Sequence, residues 1–244
     1  DVYKRQALDD VSFSLVKGET IGIVGESGSG KSTLGRCIVR LETPDSGTIS
    51  LSGTDFMQLH GESLRRERKR VQMIFQDPYA SLNPRTKVGM AIAQGPIANG
   101  VPKQKALAQA NELLELVGLA NTADRFPHEF SGGQRQRIGI ARALALEPEL
   151  IVADEAVSAL DVSIQAQILE LLEDLKQKLS LSLLFITHDL RVAAQICDHI
   201  IVMQHGRIVE QGPARDVFLA PQQAYTRELL AAIPGRPDTI EKAS

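Results

Sequence analysis

The sequence predicts an α/β fold in which a mixed parallel sheet carries a phosphate-binding loop and a helical lobe is inserted into the core. Three observations lead to this prediction. The apolar run at 20–24 is followed by a glycine-rich loop and then by helical periodicity. Further apolar runs at 71–75, 150–153 and 183–186 each end in polar residues. From 79 to 146 the strand pattern gives way to helices and turns.

The glycine-rich segment, called the phosphate loop below, has the spacing Gly-x4-Gly-Lys-Ser. Its residues are Gly25, Glu26, Ser27, Gly28, Ser29, Gly30, Lys31, Ser32 and Thr33. Glycines let successive backbone N–H groups curl around a polyphosphate, and the following helix points its positive end at the anion. We expect Lys31 to reach the terminal phosphates and Ser32 to hold Mg²⁺. Taken alone, the motif also fits a glycine-rich turn that binds nothing.

The helix required after the phosphate loop is present in the pattern. Apolar residues recur with helical spacing at Leu34, Cys37, Ile38 and Leu41. Strand, loop and helix therefore come in the order that phosphate binding needs.

Composition limits the possible functions. With 244 residues, 43% of them hydrophobic, the chain can bury the core of one domain. A net charge of −3 gives no electrostatic basis for nucleic-acid binding, and the basic run at 65–70 is interpreted as a solvated helix face. Cys37 and Cys197 are too few for a disulfide framework or a tetrahedral metal site, and are expected to be core thiols in a reducing compartment. No apolar run approaches the roughly 18 residues of a membrane span, and no secretory signal is visible.

The first part of the chain predicts a short antiparallel pair of strands. It begins with Asp rather than Met, so we expect the natural N-terminus to lie further upstream. Val11, Phe13 and Leu15 alternate with serines, which predicts a half-buried strand, and 16–19 predicts a turn into the strand before the phosphate loop. Another short alternating strand is expected at 48–53.

The inserted lobe contains well-marked helices. Pro102 begins one helix and Gly118 ends it. The lobe closes with a turn of small and polar residues that leads into a further helix, called the signature turn below: Ser131, Gly132, Gly133 and Gln134. Small residues and free N–H groups at a helix start predict a second anion site. An ordinary N-cap with flexible glycines is the alternative, and this motif alone favours it.

Polar side chains follow three of the buried strands. Gln76 ends the first, Asp154 and Glu155 end the second, and His188 ends the third. Parallel strands present ligand groups at their carboxyl ends. Asp154 is expected to hold Mg²⁺ and Glu155 to polarise the attacking water, whereas the alternative is a carboxylate pair that caps the next turn. Gln76 could reach a metal or a water, and His188 could orient the terminal phosphate, although a lone histidine is more often structural.

The remainder of the chain predicts one long helix and a strand pair. A tight loop at 158–161 precedes the helix, whose apolar face is structural. Strands at 200–203 and 207–210 flank a turn, and helices follow, one of them near Tyr225. The end of the chain, 235–244, is expected to be disordered.

Together these motifs resemble the ATP-binding subunits of ABC transporters over about 7–234, with the family's order and usual spacing. The resemblance implies the ABC ATPase fold: a P-loop NTPase core, an N-terminal antiparallel β-subdomain and an inserted helical subdomain. The implied organisation is a single domain, 1–244, with the core at 7–76 and 147–212, the helical subdomain at 77–146 and a C-terminal helical tail at 213–244.

The resemblance also implies an activity. It implies an ATPase that powers an importer, with ATP and Mg²⁺ as cofactors and with Glu155, His188 and Gln76 as catalytic residues. Metal ligands would be Ser32, Gln76 and Asp154. In a head-to-tail dimer, ATP on the phosphate loop of one subunit is covered by the signature turn of the other, and Asp161 belongs to this nucleotide site.

Implied partners are transmembrane permease subunits, a second ATPase subunit that is either identical or different, and indirectly a solute-binding protein. The implied location is peripheral, at the cytoplasmic face of the cell membrane, with no nucleic acid bound.

Finer features resemble the branch that serves oligopeptide, dipeptide and nickel importers. They are the segments 75–85 and 158–163 and the tail around Tyr225. The segment 79–85 is a candidate for signalling to the membrane subunits. The resemblance leaves the solute and the choice between a homodimer and a heterodimer open.

Three departures from the family pattern stand out. The opening strand, whose aromatic stacks on adenine, is absent or altered, and Tyr3 lies only approximately at that position. Ala156 stands where many relatives have Pro, and Gln223-Ala224 replaces a common His-Pro. No cysteine follows Cys197, so no iron–sulfur cluster is predicted.

The alternative function is a non-transport ABC-type ATPase or a nucleotide-dependent regulatory module. Translation factors of this type usually join two such domains, and repair ATPases separate two halves by a long coiled coil, neither of which this sequence contains. Gln76, Glu155 and His188 are all present, which argues against a module without turnover.

Overall fold

In the computed structural model, which describes residues 6–77 and 82–233, the chain forms eight strands and nine α-helices. The strands are β1 (Thr20–Val24), β2 (Ser50–Leu51), β3 (Thr54–Asp55), β4 (Val71–Ile74), β5 (Leu150–Asp154), β6 (Ser182–Ile186), β7 (His199–Gln204) and β8 (Arg207–Pro213). The helices are α1 (Lys31–Ile38), α2 (Gly61–Glu67), α3 (Val88–Ala98), α4 (Lys103–Leu116), α5 (Gly132–Leu144), α6 (Val162–Leu179), α7 (Leu190–Ile196), α8 (Ala214–Leu219) and α9 (Ala224–Ala231). The expectations for Tyr3, for 79–81 and for 235–244 lie outside the described residues.

A six-stranded mixed sheet organises the fold, as predicted. Its order is β4-β5-β6-β1-β7-β8, and the first five strands are parallel while β8 runs antiparallel to β7. Every residue of β1, β5 and β6 is buried, as expected for parallel strands that are covered on both faces. Because β4, β5 and β6 lie side by side, their carboxyl ends meet at one edge of the sheet.

Two hydrophobic clusters cover the two faces of the sheet. Phe185 of β6 belongs to one cluster and its neighbour Leu184 to the other, in keeping with the alternation of side chains along a strand. The first cluster also includes Leu114 of α4 and Ile138 of α5. The helices between β4 and β5 therefore share their core with the sheet. The subdomain boundaries given above stay a prediction.

The strand predicted at 11–15 is wrong, since these residues form no ladder in the described structure. The burial alternates as expected, because Val11, Phe13 and Leu15 pack against the second cluster. In this first part of the chain, antiparallel pairing occurs in the hairpin of β2 and β3. Ser52 and Gly53 both have positive φ, 49° and 80°, which is the geometry of a tight hairpin turn.

The helix after the phosphate loop ends earlier than predicted. Arg40 adopts left-handed backbone with a φ of 57°, and the N–H groups of Arg40 and Leu41 return to carbonyls of Cys37 and Arg36. This hydrogen-bond pattern closes the helix. Leu41 is consequently 55% exposed and does not extend the apolar stripe.

Both cysteines, Cys37 and Cys197, are buried and unpaired, which confirms that they are core thiols. Within 6–77 and 82–233, none of the helices has the length and apolar character to cross a membrane.

Candidate functional site

The phosphate loop joins β1 to α1 in a conformation that requires glycine. Gly25, Gly28 and Gly30 have φ values of 147°, 82° and 104°. A Cβ at Gly25 would lie 2.2 Å from the carbonyl oxygen of Met203 on β7, so no side chain fits there. Gly30 is the N-cap of α1 and supplies no side-chain cap. The first N–H groups of α1 thus lack a capping side chain, as in an anion site at a helix start.

Lys31 lies folded into the phosphate loop. It is only 4% exposed, and its Nζ donates to the carbonyl oxygens of Gly25 and Glu26, each at 2.8 Å. Burial lowers the pKa of Lys31, although the nearby charges of Glu155 and Asp154 act in the opposite direction. The ammonium group donates to neutral acceptors, these two carbonyls and the Ser29 hydroxyl at 3.4 Å, and an anionic phosphate would be a stronger partner for it.

Ser32 and Asp154 form a close pair of oxygen donors beside the loop. The Ser32 hydroxyl donates to Asp154 Oδ1 at 2.9 Å, across 122 residues of sequence. Asp154 is 6% exposed, and this burial raises the pKa of its carboxyl despite the hydrogen bond from Ser32. Hydroxyl and carboxylate oxygens are the ligands that Mg²⁺ prefers, so the pair fits a magnesium site.

Glu155 lies between Gln76 and His188, and the three side chains form a second polar group. Gln76 Nε2 donates to its Oε2 at 2.9 Å, and His188 Nδ1 lies 3.4 Å from its Oε1. These three residues follow β4, β5 and β6, so the strand order brings them together. Glu155 has a φ of 47°, a left-handed conformation that is uncommon for a residue with a side chain. Its N–H donates to the carbonyl of Ile186 at the end of β6, which holds the turn in place.

The signature turn forms the N-terminus of α5. The Ser131 hydroxyl accepts from the N–H of Gln134 at 3.3 Å, and Gln134 Oε1 accepts from the N–H of Ser131 at 3.0 Å. This reciprocal pair is a capping box. In the single chain the signature turn therefore caps its own helix, which is the alternative that the sequence analysis left open. Gly133 also has a packing role, because a Cβ there would lie 2.3 Å from Cγ2 of Ile164. Gly132 is less tightly enclosed, with Leu160 at 3.6 Å from a Cβ.

Asp161 is the N-cap of α6 in this structure. Its Oδ1 accepts from the N–H of Ile164 at 3.0 Å, and the residue is exposed. The contact accounts for an aspartate at this position. Membership of Asp161 in the nucleotide site stays a prediction.

The C-terminal part of the chain supports the phosphate loop through contacts that the sequence analysis missed. The N–H of Gly206, in the turn between β7 and β8, donates to the carbonyl of Ser29 at 2.9 Å. The Tyr225 hydroxyl on α9 accepts from the N–H of Glu26 at 3.2 Å, across 199 residues. No local periodicity signals contacts at such a separation. In the sequence, Tyr225 stood out only as part of the C-terminal segment, with nothing to indicate its contact with Glu26.

Comparison with known proteins places these features in context. The family model described as "ABC transporter" matches residues 8–158. A peptide import ATP-binding protein of Brucella ovis is 54% identical over 229 residues, covering 93% of this chain and 72% of that protein. An oligopeptide transport ATP-binding protein of Bacillus subtilis is 51% identical over 236 residues, covering 94% and 76%. A solved dimeric ATP-binding cassette, in a post-hydrolysis state with ADP and phosphate, matches with a TM-score of 0.76 at 30% identity, covering 86% of this chain and 91% of that one.

Proposed function

The chain belongs to the ABC transporter family, and from that premise we propose that it is the ATP-hydrolysing subunit of a peptide importer. One observation carries the enzymatic part of the proposal: Gln76 and His188 converge on Glu155, one residue after the Asp154 that binds Ser32 of the phosphate loop. The site thus combines an anion-binding loop, a pair of oxygen donors and a carboxylate. A regulatory module that binds ATP without hydrolysing it does not need the Glu155 carboxylate.

The substrate class follows from the relatives. Proteins that are 51% and 54% identical over nearly the whole chain are named for oligopeptide transport and peptide import. We therefore assign oligopeptides or dipeptides, with related small solutes of the same importer branch as the wider class. A non-transport ATPase is not favoured.

The residues divide the work of hydrolysis between binding and proton transfer. The N–H groups of the phosphate loop and the Lys31 ammonium bind the phosphates of ATP. Ser32, Asp154 and Gln76 would hold Mg²⁺, which when bound neutralises phosphate charge. Glu155 accepts the proton of the attacking water as general base. Gln76 and His188 orient the Glu155 carboxylate, and His188 would also contact the terminal phosphate.

Assembly completes the site. The solved ATP-binding cassette with 30% identity is a dimer, and this chain has an anion-binding loop and a signature turn at separate positions. In a head-to-tail dimer, the signature turn of one subunit covers the nucleotide of the other, with Asp161 at the boundary. Permease subunits, a solute-binding protein acting through them, and a peripheral position at the cytoplasmic face of the membrane complete the proposed importer.

Peptide uptake in cells tests this function. Deletion of the gene should abolish uptake of a radiolabelled oligopeptide, and the unaltered gene should restore it. The variant Glu155→Gln should not restore uptake, whereas Glu112→Gln, an exposed charge on α4, should. Normal peptide uptake in the deletion strain would contradict the assignment to peptides, and absence of ATPase activity in the purified, assembled complex would contradict the assignment of catalysis.

A further inference from the structure

A side chain of the last described helix contacts the phosphate loop directly. Tyr225 lies in the first turn of α9 and packs partly against the first hydrophobic cluster. Its hydroxyl accepts a hydrogen bond from the N–H of Glu26 at 3.2 Å. Burial is the main cause that raises the pKa of this phenol, so it is neutral at physiological pH.

The peptide unit that joins Gly25 to Glu26 is held from both sides. On one side Tyr225 accepts from the Glu26 N–H. On the other side the Gly25 carbonyl accepts from Lys31 Nζ at 2.8 Å. If the N–H partner is removed, this peptide unit loses one of its two restraints, and its carbonyl helps to orient the lysine. The Tyr225 hydroxyl and Lys31 are therefore linked through a single peptide unit.

Helix α9 is itself fixed to the sheet. Glu210 of β8 accepts from the N–H groups of Gln222 and Gln223, at 2.7 and 3.1 Å, immediately before α9. Burial opposes ionisation of Glu210, but these and other hydrogen bonds outweigh it and hold the pKa of the carboxyl below its ordinary value. Leu230 is buried at the other end of α9. The hydroxyl of Tyr225 thus projects from a fixed support.

We propose that Tyr225 is a positioning residue for the nucleotide site: it holds the Glu26 peptide so that the phosphate loop and Lys31 are preorganised before ATP binds. This role rests on the function proposed above and adds α9 to the machinery of the site. When the phosphate loop is already ordered before ATP binds, the free-energy cost of ordering it does not reduce the affinity for ATP. Among the described residues, the Tyr225 hydroxyl bonds to the Glu26 N–H and not to Gln76, Glu155 or His188, so we expect its effect on binding rather than on the chemical step.

The substitution Tyr225→Phe removes the hydroxyl and keeps the ring. One hydrogen bond of ordinary strength corresponds to a change of about 2- to 10-fold in an equilibrium constant. We expect the Kd for MgATP, measured with the full chain, and the KM for ATP to rise by that factor while kcat is unchanged. Amide exchange of Glu26, measured by NMR without nucleotide, should accelerate.

The matched control is Arg227→Ala on the same helix. The Arg227 guanidinium donates to the carbonyls of Pro221 and Gln222 within the tail. We expect it to change neither the Kd for MgATP nor the exchange of the Glu26 amide. Equal effects of Arg227→Ala and Tyr225→Phe would overturn the proposal, since tail stability would then explain both. An unchanged Kd in Tyr225→Phe would overturn the positioning role alone, whereas failure of the unaltered chain to bind MgATP would overturn the proposed function and the positioning role together.

Discussion

Gln76 Nε2 donates to Glu155 Oε2 at 2.9 Å, although 79 residues and the helices α3, α4 and α5 separate the two along the chain. The contact exists because β4 and β5 are neighbouring parallel strands, paired from Val71 with Leu150 to Ile74 with Ala153. It links the start of the helical segment to the proposed base. We expect this contact to restrain the orientation of the Glu155 carboxylate.

The variant Gln76→Leu tests this orientation. Loss of the hydrogen bond frees one carboxylate oxygen of Glu155, and small misplacements of a catalytic group reduce turnover by up to about 10²-fold. We expect kcat to fall within this range, while the Kd for MgATP reports separately on the proposed role of Gln76 as a Mg²⁺ ligand. The control is Gln72→Leu at the other end of β4, where the amide donates to the carbonyls of Arg68 and Val71. A kcat for Gln76→Leu equal to that of Gln72→Leu would mean that the contact has no catalytic role.

Glu155→Gln should separate binding from hydrolysis. An amide cannot accept the proton of the attacking water, so we expect ATPase activity to fall by about 10² to 10⁴-fold. MgATP binding should persist, because the phosphate loop is untouched. Light scattering should then show an ATP-dependent increase in mass if the chain pairs with itself. Near-normal turnover would contradict the assignment of Glu155, and Glu112→Gln controls for the loss of one negative charge.

Asp154→Asn should change stability in a pH-dependent way. Burial raises the pKa of Asp154, so the folded chain binds this proton more tightly than the unfolded chain. Its ionisation therefore destabilises the fold as the pH rises above about 3.9, the ordinary value for Asp. In the absence of Mg²⁺ and nucleotide, we expect Asp154→Asn to gain stability relative to the unaltered chain, and to gain more at pH 7 than at pH 4.

Urea unfolding at the two pH values measures this difference. Lys31→Met serves as a comparison at alkaline pH: burial lowers the pKa of Lys31, so the stability gained by removing its buried charge should shrink as the pH rises towards about 10.4, which is the opposite direction. A constant difference between Asp154→Asn and the unaltered chain from pH 4 to pH 7 would contradict the assigned effect of burial on Asp154. We expect the same Asp154→Asn variant to lose Mg²⁺-dependent ATPase activity, so its stability and its function should change in opposite directions.

The ABC ATPase fold was predictable because its determinants are local. A buried parallel strand is recognisable as a short apolar run, and the polar residue after it marks its end, as at Gln76, Asp154 and His188. The helical patterns lie between the apolar runs of β4 and β5 in the sequence, so the insertion of these helices was predictable as well. The convergence on Glu155 followed once the strands that carry these residues were neighbours.

The remaining features depend on partners that are distant in sequence or on an unusual backbone. The segment at 11–15 has the alternation of a strand but forms no ladder in the described structure. Arg40 ends α1 in a left-handed conformation that glycine usually supplies, so no glycine marks the end of the helix. Tyr225 reaches Glu26 only because β8 and Glu210 fix α9 in place.

Gly133→Ala should reveal why the signature turn contains glycine at its third position. A Cβ there would lie 2.3 Å from Cγ2 of Ile164, so Ile164 or the start of α6 must move. Overpacking of this kind costs about 1 to 3 kcal/mol of unfolding free energy. Removal of the clashing methyl in the double variant Gly133→Ala, Ile164→Ala should make the two changes non-additive, with less destabilisation than their sum. Urea unfolding of the four chains of this cycle measures the coupling.

Gly139→Ala is the control on the same helix, since nothing lies within 4 Å of a Cβ at that position. We expect it to be neutral or to stabilise the chain by up to about 1 kcal/mol, because alanine is a better helix former than glycine. If Gly133→Ala behaved like Gly139→Ala, the close approach to Ile164 would not be the reason for the glycine. Additive effects in the cycle would lead to the same conclusion. A strong loss in Gly133→Ala that Ile164→Ala relieves would establish that the close approach of α5 and α6 at Ile164 is the reason for glycine at this position of the signature turn.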